Sequence, residues 1–182
     1  LGSNPYICQA PVTPRDKNLF LGRESILDSI NRYVSKHGNV ILLEGNRRTG
    51  KSSILKHLKG TTRIRGWLAV EYSLQSGTAQ QKKYGLSTQK IFSGIASDIA
   101  VGVVENGQAC PLPDGTVLSM EKSKADTKRK ISKACHKGIC EETPFEDFRD
   151  YLEKILETLE EQNLKLLLMI DEFDKVQEGI VN

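Results

Sequence analysis

Gly45-Asn46-Arg47-Arg48-Thr49-Gly50-Lys51-Ser52 has the spacing G-x-x-x-x-G-K-S, and each fixed residue type in it answers to a property of a polyphosphate. The glycines let the backbone curl around phosphate oxygens, and successive N–H groups at the start of a following helix point at the anion. Lys51 supplies a mobile positive charge for the β- and γ-phosphates, while the Ser52 hydroxyl is short enough to ligate Mg²⁺. A second chemical group is the acidic pair Asp171-Glu172, which ends the apolar run Leu166-Leu167-Leu168-Met169-Ile170. Carboxylates at the carboxyl end of a buried strand lie where α/β sheets bind ligands. Asp171 is the candidate for holding Mg²⁺ with its hydration shell, and Glu172 for polarising an attacking water. An acidic pair after a strand is a weak motif alone; the phosphate loop upstream gives it meaning. Asp174 reads as solvated.

These groups need elements to position them. Val40-Ile41-Leu42-Leu43 is a short apolar run of the kind expected of a buried parallel strand leading into the loop. Ile54, Leu55 and Leu58 recur at helical spacing between Ser53 and Lys59, so the order is strand, loop, helix. Upstream, Ile26, Leu27, Ile30, Tyr33 and Val34 give Arg23 to Lys36 one apolar helical face, which Gly38-Asn39 ends. Asn4 to Leu21, punctuated by Pro5, Pro11 and Pro14, reads as an extended leader. Trp67 to Tyr72 is a second strand, followed by a polar Leu74 to Gly85 loop. A helix is expected over Ser87 to Val104, with Ile91, Phe92, Ile95 and Ile99 on one side. Thr143-Pro144-Phe145-Glu146 has the form of a capping box with proline at the first helical position. Phe145, Phe148, Leu152, Ile155, Leu156 and Leu159 then form a core-facing stripe that delivers the chain to the acidic strand. Between these elements, Glu105 to Glu142 is pattern-poor and charged, and reads as an insertion with disordered parts.

The predicted fold class is therefore α/β, a three-layer αβα P-loop NTPase core with a parallel sheet. Its organisation is a leader over 1–21 and a core over 22–182, interrupted at about 105–142. At 182 residues the chain can bury a real core, and its net charge of +3 identifies no partner. The cluster Lys122, Lys124, Lys128, Arg129, Lys130, Lys133 and Lys137 lacks the interleaved aromatics that stack on bases, so it reads as a solvated face, with nucleic acid not indicated. Cys8, Cys110, Cys135 and Cys140 are too few for a disulfide scaffold and suit a reducing cytoplasm. Cys135-His136, Cys140 and Cys110 carry no C-x-x-C pair to support zinc. No apolar stretch approaches the ~20 residues of a membrane span. Leu1-Gly2-Ser3 reads as a cloning remnant.

Phe20-Leu21-Gly22-Arg23-Glu24, Gly45 to Ser53, and Leu166 to Glu172 together resemble the nucleotide-binding part of STAND-type and Orc/Cdc6-like AAA+ ATPases. The loop Gly-Asn-Arg-Arg-Thr-Gly-Lys-Ser-Ser and the segment Asp-Glu-Phe-Asp-Lys are similar to those of bacterial STAND ATPases, signalling switches that carry sensor or effector domains. The resemblance implies ATP or ADP with Mg²⁺ as ligands and a homo-oligomer or attached domains as partners. It also nominates Gly22 and Arg23 as adenine-side contacts, beside the loop residues Gly45, Asn46, Arg47, Arg48, Thr49, Gly50, Lys51, Ser52 and Ser53. On the residues alone, Arg23 reads equally as a surface residue and Glu24 as an acid favouring a helix start. Such ATPases also have a sensor strand, an arginine finger and a helical lid, so the sequence reads as part of a longer protein whose nucleotide binding outlasts catalysis. A DNA-associated Orc/Cdc6-like ATPase and a non-hydrolysing nucleotide-dependent scaffold are the alternatives. GTP is disfavoured because no Asn-Lys-x-Asp motif occurs, and a small-molecule kinase because no acceptor signature does.

Overall fold

The computed structural model describes residues 22–37, 40–44, 49–60, 66–74 and 87–172. The expected leader, Cys8, the Gly38-Asn39 turn, the loop residues Gly45, Asn46, Arg47 and Arg48, most of the polar loop after Leu74, and Asp174 lie outside them. The chain forms two compact units, Leu1–Arg65 and Gly66–Asn182, and each is described by itself.

In the first unit, helix α1 spans Glu24–His37 and helix α2 spans Lys51–Gly60. Both follow the predicted periodicity. Leu27, Ile30 and Val34 of α1 are buried, as are Ile54, Leu55 and Leu58 of α2, whereas Tyr33 is exposed. Val40 to Leu43 depart from expectation: they form no strand, and Val40 is 97% and Leu42 72% exposed. A strand exists only by pairing, and among the described residues this run has no ladder partner.

The second unit is α/β. Strand β1 (Trp67–Ser73) leads to helix α3 (Thr88–Glu105), the short strands β2 (Cys110–Pro111) and β3 (Val117–Leu118), helix α4 (Lys124–Gly138), helix α5 (Pro144–Glu160) and strand β4 (Lys165–Asp171). β1 and β4 pair in parallel, Trp67 opposite Lys165 and Ser73 opposite Asp171, while β2 and β3 form an antiparallel ladder. Because strand side chains alternate, Leu68, Val70 and Tyr72 share one face with Leu166 and Leu168, and this face meets α3 and α5 in one core. Glycines let α3 lie close on β1. A Cβ on Gly102 would stand 3.1 Å from Val70 Cγ2, and one on Gly94 would enter the Tyr72 ring.

The 105–142 segment is folded, although its sequence reads as pattern-poor. The side chain of Ser123 caps α4, and Thr127, Ile131, Ala134 and Cys135 line its buried face, i, i+4, i+7 and i+8, against the core containing α3. Its end is tied down as well: Gln89 Nε2, buried on α3, donates to Ile139 O at 2.8 Å. The weak pattern has a physical cause, since so narrow a stripe is diluted by the lysines around it. Cys110 and Cys135 are both buried here, which pushes their thiols up to about 11 and about 12. Among the described residues no three histidine, cysteine or acidic groups gather as metal ligands.

Helix α5 corrects two details. Thr143 makes no side-chain cap bond, and it is Asp147 rather than Glu146 that reaches back, accepting from Cys140 N at 2.9 Å and Thr143 Oγ1 at 3.3 Å. The predicted stripe is also rotated. Tyr151, Ile155 and Leu159 are the fully buried positions, whereas Phe145 and Leu156 are exposed. Tyr151 is accommodated because its hydroxyl donates to Ala96 O at 3.2 Å.

Candidate nucleotide site

One candidate group, in the first unit, is the entry to α2. Gly50 takes φ +88, a left-handed conformation that glycine adopts without penalty and other residues rarely do. A Cβ there would meet nothing closer than Arg23 Nη2 at 4.0 Å, so the backbone angle, not crowding, requires glycine. Ile54 N donates to Gly50 O at 3.1 Å, making Gly50 the residue on which the helix starts. The first N–H groups of a helix point beyond its end, and in α2 they belong to Lys51, Ser52 and Ser53. No acidic residue occupies that first turn, so the positive end of the helix dipole is not offset by the chain's own carboxylates there.

The Gly22-Arg23-Glu24 box touches this entry directly. Arg23 Nη2 donates to Thr49 O at 2.8 Å, fixing the peptide just before Gly50. Gly22 has φ +72 and open space around its α-carbon, and Arg23 O accepts from Leu27 N at 3.1 Å as α1 begins. The hydrogen bond is a further role for Arg23, beside the two readings of it as a surface residue or an adenine-side contact. Its guanidinium braces the backbone of the G-x-x-x-x-G-K-S segment at Thr49.

The second unit carries its own candidate group, at the carboxyl end of the parallel pair. Asp171 closes β4 opposite Ser73, and Asp171 O accepts from Leu74 N at 3.2 Å, so the ladder runs to its last residue. Glu172 then turns out of the strand with φ 60, an uncommon angle for a non-glycine residue that costs on the order of 1–3 kcal/mol unless its surroundings hold it. Two hydrogen bonds do so. Glu172 N donates to Asp171 Oδ1 at 2.9 Å, and Ser73 Oγ donates to Glu172 Oε2 at 3.1 Å. The two carboxylates are thereby aimed differently, one folded onto its own following peptide, the other drawn toward the neighbouring strand.

Ser73 is the site residue that sequence reasoning missed. The available signal was positional: a hydroxyl one residue past a predicted strand, at the sheet end where the acids also fall. The structure thus brings together Arg23, Thr49, Gly50 and Lys51 in the first unit, and Ser73, Asp171 and Glu172 in the second. No protein-family model, curated protein or solved structure matches this chain.

Proposed function

We propose that the chain is the nucleotide-binding part of a Mg²⁺–ATP-dependent switch ATPase of the STAND type, built on a three-layer P-loop NTPase core. In this reading nucleotide state controls the assembly or output of a larger cytoplasmic protein. The observation that carries the proposal is the left-handed Gly50 starting α2 within G-x-x-x-x-G-K-S, with an acid-free first turn and with Arg23 holding Thr49 O. Such a helix entry suits a phosphate anion. Support from the second unit is that Asp171 and Glu172 stand at the carboxyl end of a parallel strand, as a metal-organising acid and a water-orienting acid require.

The residues divide the work. Lys51 neutralises the β- and γ-phosphates, and the backbone N–H groups of Gly50 to Ser53 hold phosphate oxygens. Ser52 and Asp171 are the groups that would hold Mg²⁺. The ion, when bound, neutralises charge developing on the transferred phosphoryl group. Glu172, restrained by Ser73, orients water. Arg23 acts one step removed, by fixing the loop.

A ligand that binds only the folded state stabilises it by about 2.7 kcal/mol at one hundred times its dissociation constant. Thermal unfolding with ATP, with and without Mg²⁺, therefore tests the reading. Mg²⁺ is expected to enlarge the ATP-induced shift, and Ser52→Ala or Asp171→Asn to remove that enlargement. A Mg²⁺-independent shift in all three proteins would contradict the metal assignment.

A further inference from the structure

Helix α4 carries none of the residues assigned to the nucleotide, yet it is the most positively charged of the helices. Its buried side is committed to the core through Thr127, Ile131, Ala134 and Cys135. What remains outward is basic. Arg129, Lys133 and Lys137 follow one another at i, i+4 and i+8, so about 12 Å of rigid helix carries a cation at every turn. Lys130 and Lys128 flank this row, and Lys122 and Lys124 precede it.

The acids nearby offset little of this charge. Arg129 pairs with Asp126 at 3.3 Å, Lys130 with Glu121 at 2.6 Å and Lys128 with Glu105 at 3.8 Å. All three are solvent-exposed pairs, the Arg129 side chain being 80% exposed, and such pairs yield readily to a stronger anion. The Asp114 carboxyl is held below its usual range chiefly by the hydrogen bond from the Thr116 hydroxyl, with a smaller contribution from the charge of Lys137. Lys122, Lys124 and Lys133 are in no ion pair among the described residues.

The face also lacks what other polyanion partners need. A helix that lies in a membrane surface presents apolar side chains to the lipid, and the exposed positions between these cations are Ala125, Asp126, Ser132 and His136. No phenylalanine, tyrosine or tryptophan stands among them to stack on a base. A straight, preformed row of cations on a fixed helix matches a regularly spaced line of phosphates.

We propose that the outward face of α4, centred on Arg129, Lys133 and Lys137, is a sequence-independent docking surface for the phosphate backbone of a nucleic acid. Contacts of this kind release counterions, so affinity falls steeply with salt, by about 0.9 in log–log slope per phosphate neutralised on a duplex.

The test is fluorescence anisotropy of the whole chain with a labelled duplex of arbitrary sequence, across a salt series and with excess Mg²⁺–ATP present throughout. Binding at low salt with a log–log slope of roughly −3 is expected for three contacts. Arg129→Glu with Lys133→Glu should weaken binding at least about tenfold and flatten the slope by roughly two. Arg149→Glu with Lys154→Glu, the same charge change on exposed positions of α5, should leave the slope unchanged. Absence of binding, equal losses in the two double variants, or binding seen only when Mg²⁺–ATP is omitted would each overturn the proposal. So would binding to phosphatidylserine vesicles but not to the duplex.

Discussion

Gly138→Ala tests whether the charged 105–142 segment is part of the core. Gly138 is the last residue of α4, and a Cβ built there would collide with Asp114 N and Pro113 C and stand 2.6 Å from Pro113 O. These are backbone atoms of a turn with little freedom to retreat. Leu112 N donates to Thr116 O at 2.8 Å, Gly115 N to Leu112 O at 3.0 Å, and Thr116 Oγ1 to Asp114 Oδ1 at 2.6 Å. Overpacking typically costs ~1–3 kcal/mol, and each displaced hydrogen bond adds about 1 kcal/mol. About 3 kcal/mol or more is therefore expected, lowering the melting temperature by roughly 6–12 °C for a chain of this size. The only tryptophan, Trp67, lies in β1 of the same unit, so its fluorescence in a urea titration reports on this unfolding. Gly107→Ala is the control: it has φ +87 but open space, so conformational strain of about 1–2 kcal/mol is its whole cost. If Gly138→Ala proved no worse than Gly107→Ala, the docking of α4 on the Pro113–Asp114 turn would be refuted.

Ser73→Ala removes the hydroxyl that holds Glu172, a hydrogen bond to a charged group of about 1.5–3 kcal/mol. If Ser73 positions Glu172 for hydrolysis, kcat should fall about tenfold with KM unchanged and Ser73→Thr should restore it; an unchanged kcat would remove Ser73 from the site. Alkaline pH should destabilise the second unit. The Cys110 and Cys135 thiols, raised by burial to about 11 and about 12, keep their protons in the folded state while those of the unfolded chain are lost from about pH 8.5 upward. Stability is thus complete below that pH and declines through the window up to about 11–12. Urea midpoints measured from pH 7 to 10 check this, and a flat profile would show that these thiols are not buried.

Residues whose neighbours lie close in sequence were the legible ones. The apolar periods of α1, α2 and α3, the β1 strand, and the acidic end of β4 all follow from local pattern, and the G-x-x-x-x-G-K-S spacing placed a glycine where the backbone must curl, just before α2. Illegible were features decided by distant partners. Val40 to Leu43 have a strand's composition but no ladder among the described residues. Tyr151 escaped the predicted stripe because its burial depends on a carbonyl 55 residues away, and Phe145 was wrongly included because composition does not reveal where the core stops. Helix α4 was obscured by its own lysines. Ser73 acquires meaning only through the parallel register that sets it opposite Asp171.

The most direct test of the central claim is calorimetric titration of the whole chain with ATP in the presence of Mg²⁺, repeated with Lys51→Ala. Saturable one-to-one binding is predicted for the unaltered chain. Loss of at least about 2 kcal/mol of binding free energy, roughly thirtyfold in affinity, is predicted for the variant, since Lys51 makes charge-assisted bonds to phosphate. No heat of binding with ATP or ADP, or equal affinity in both proteins, would contradict the account.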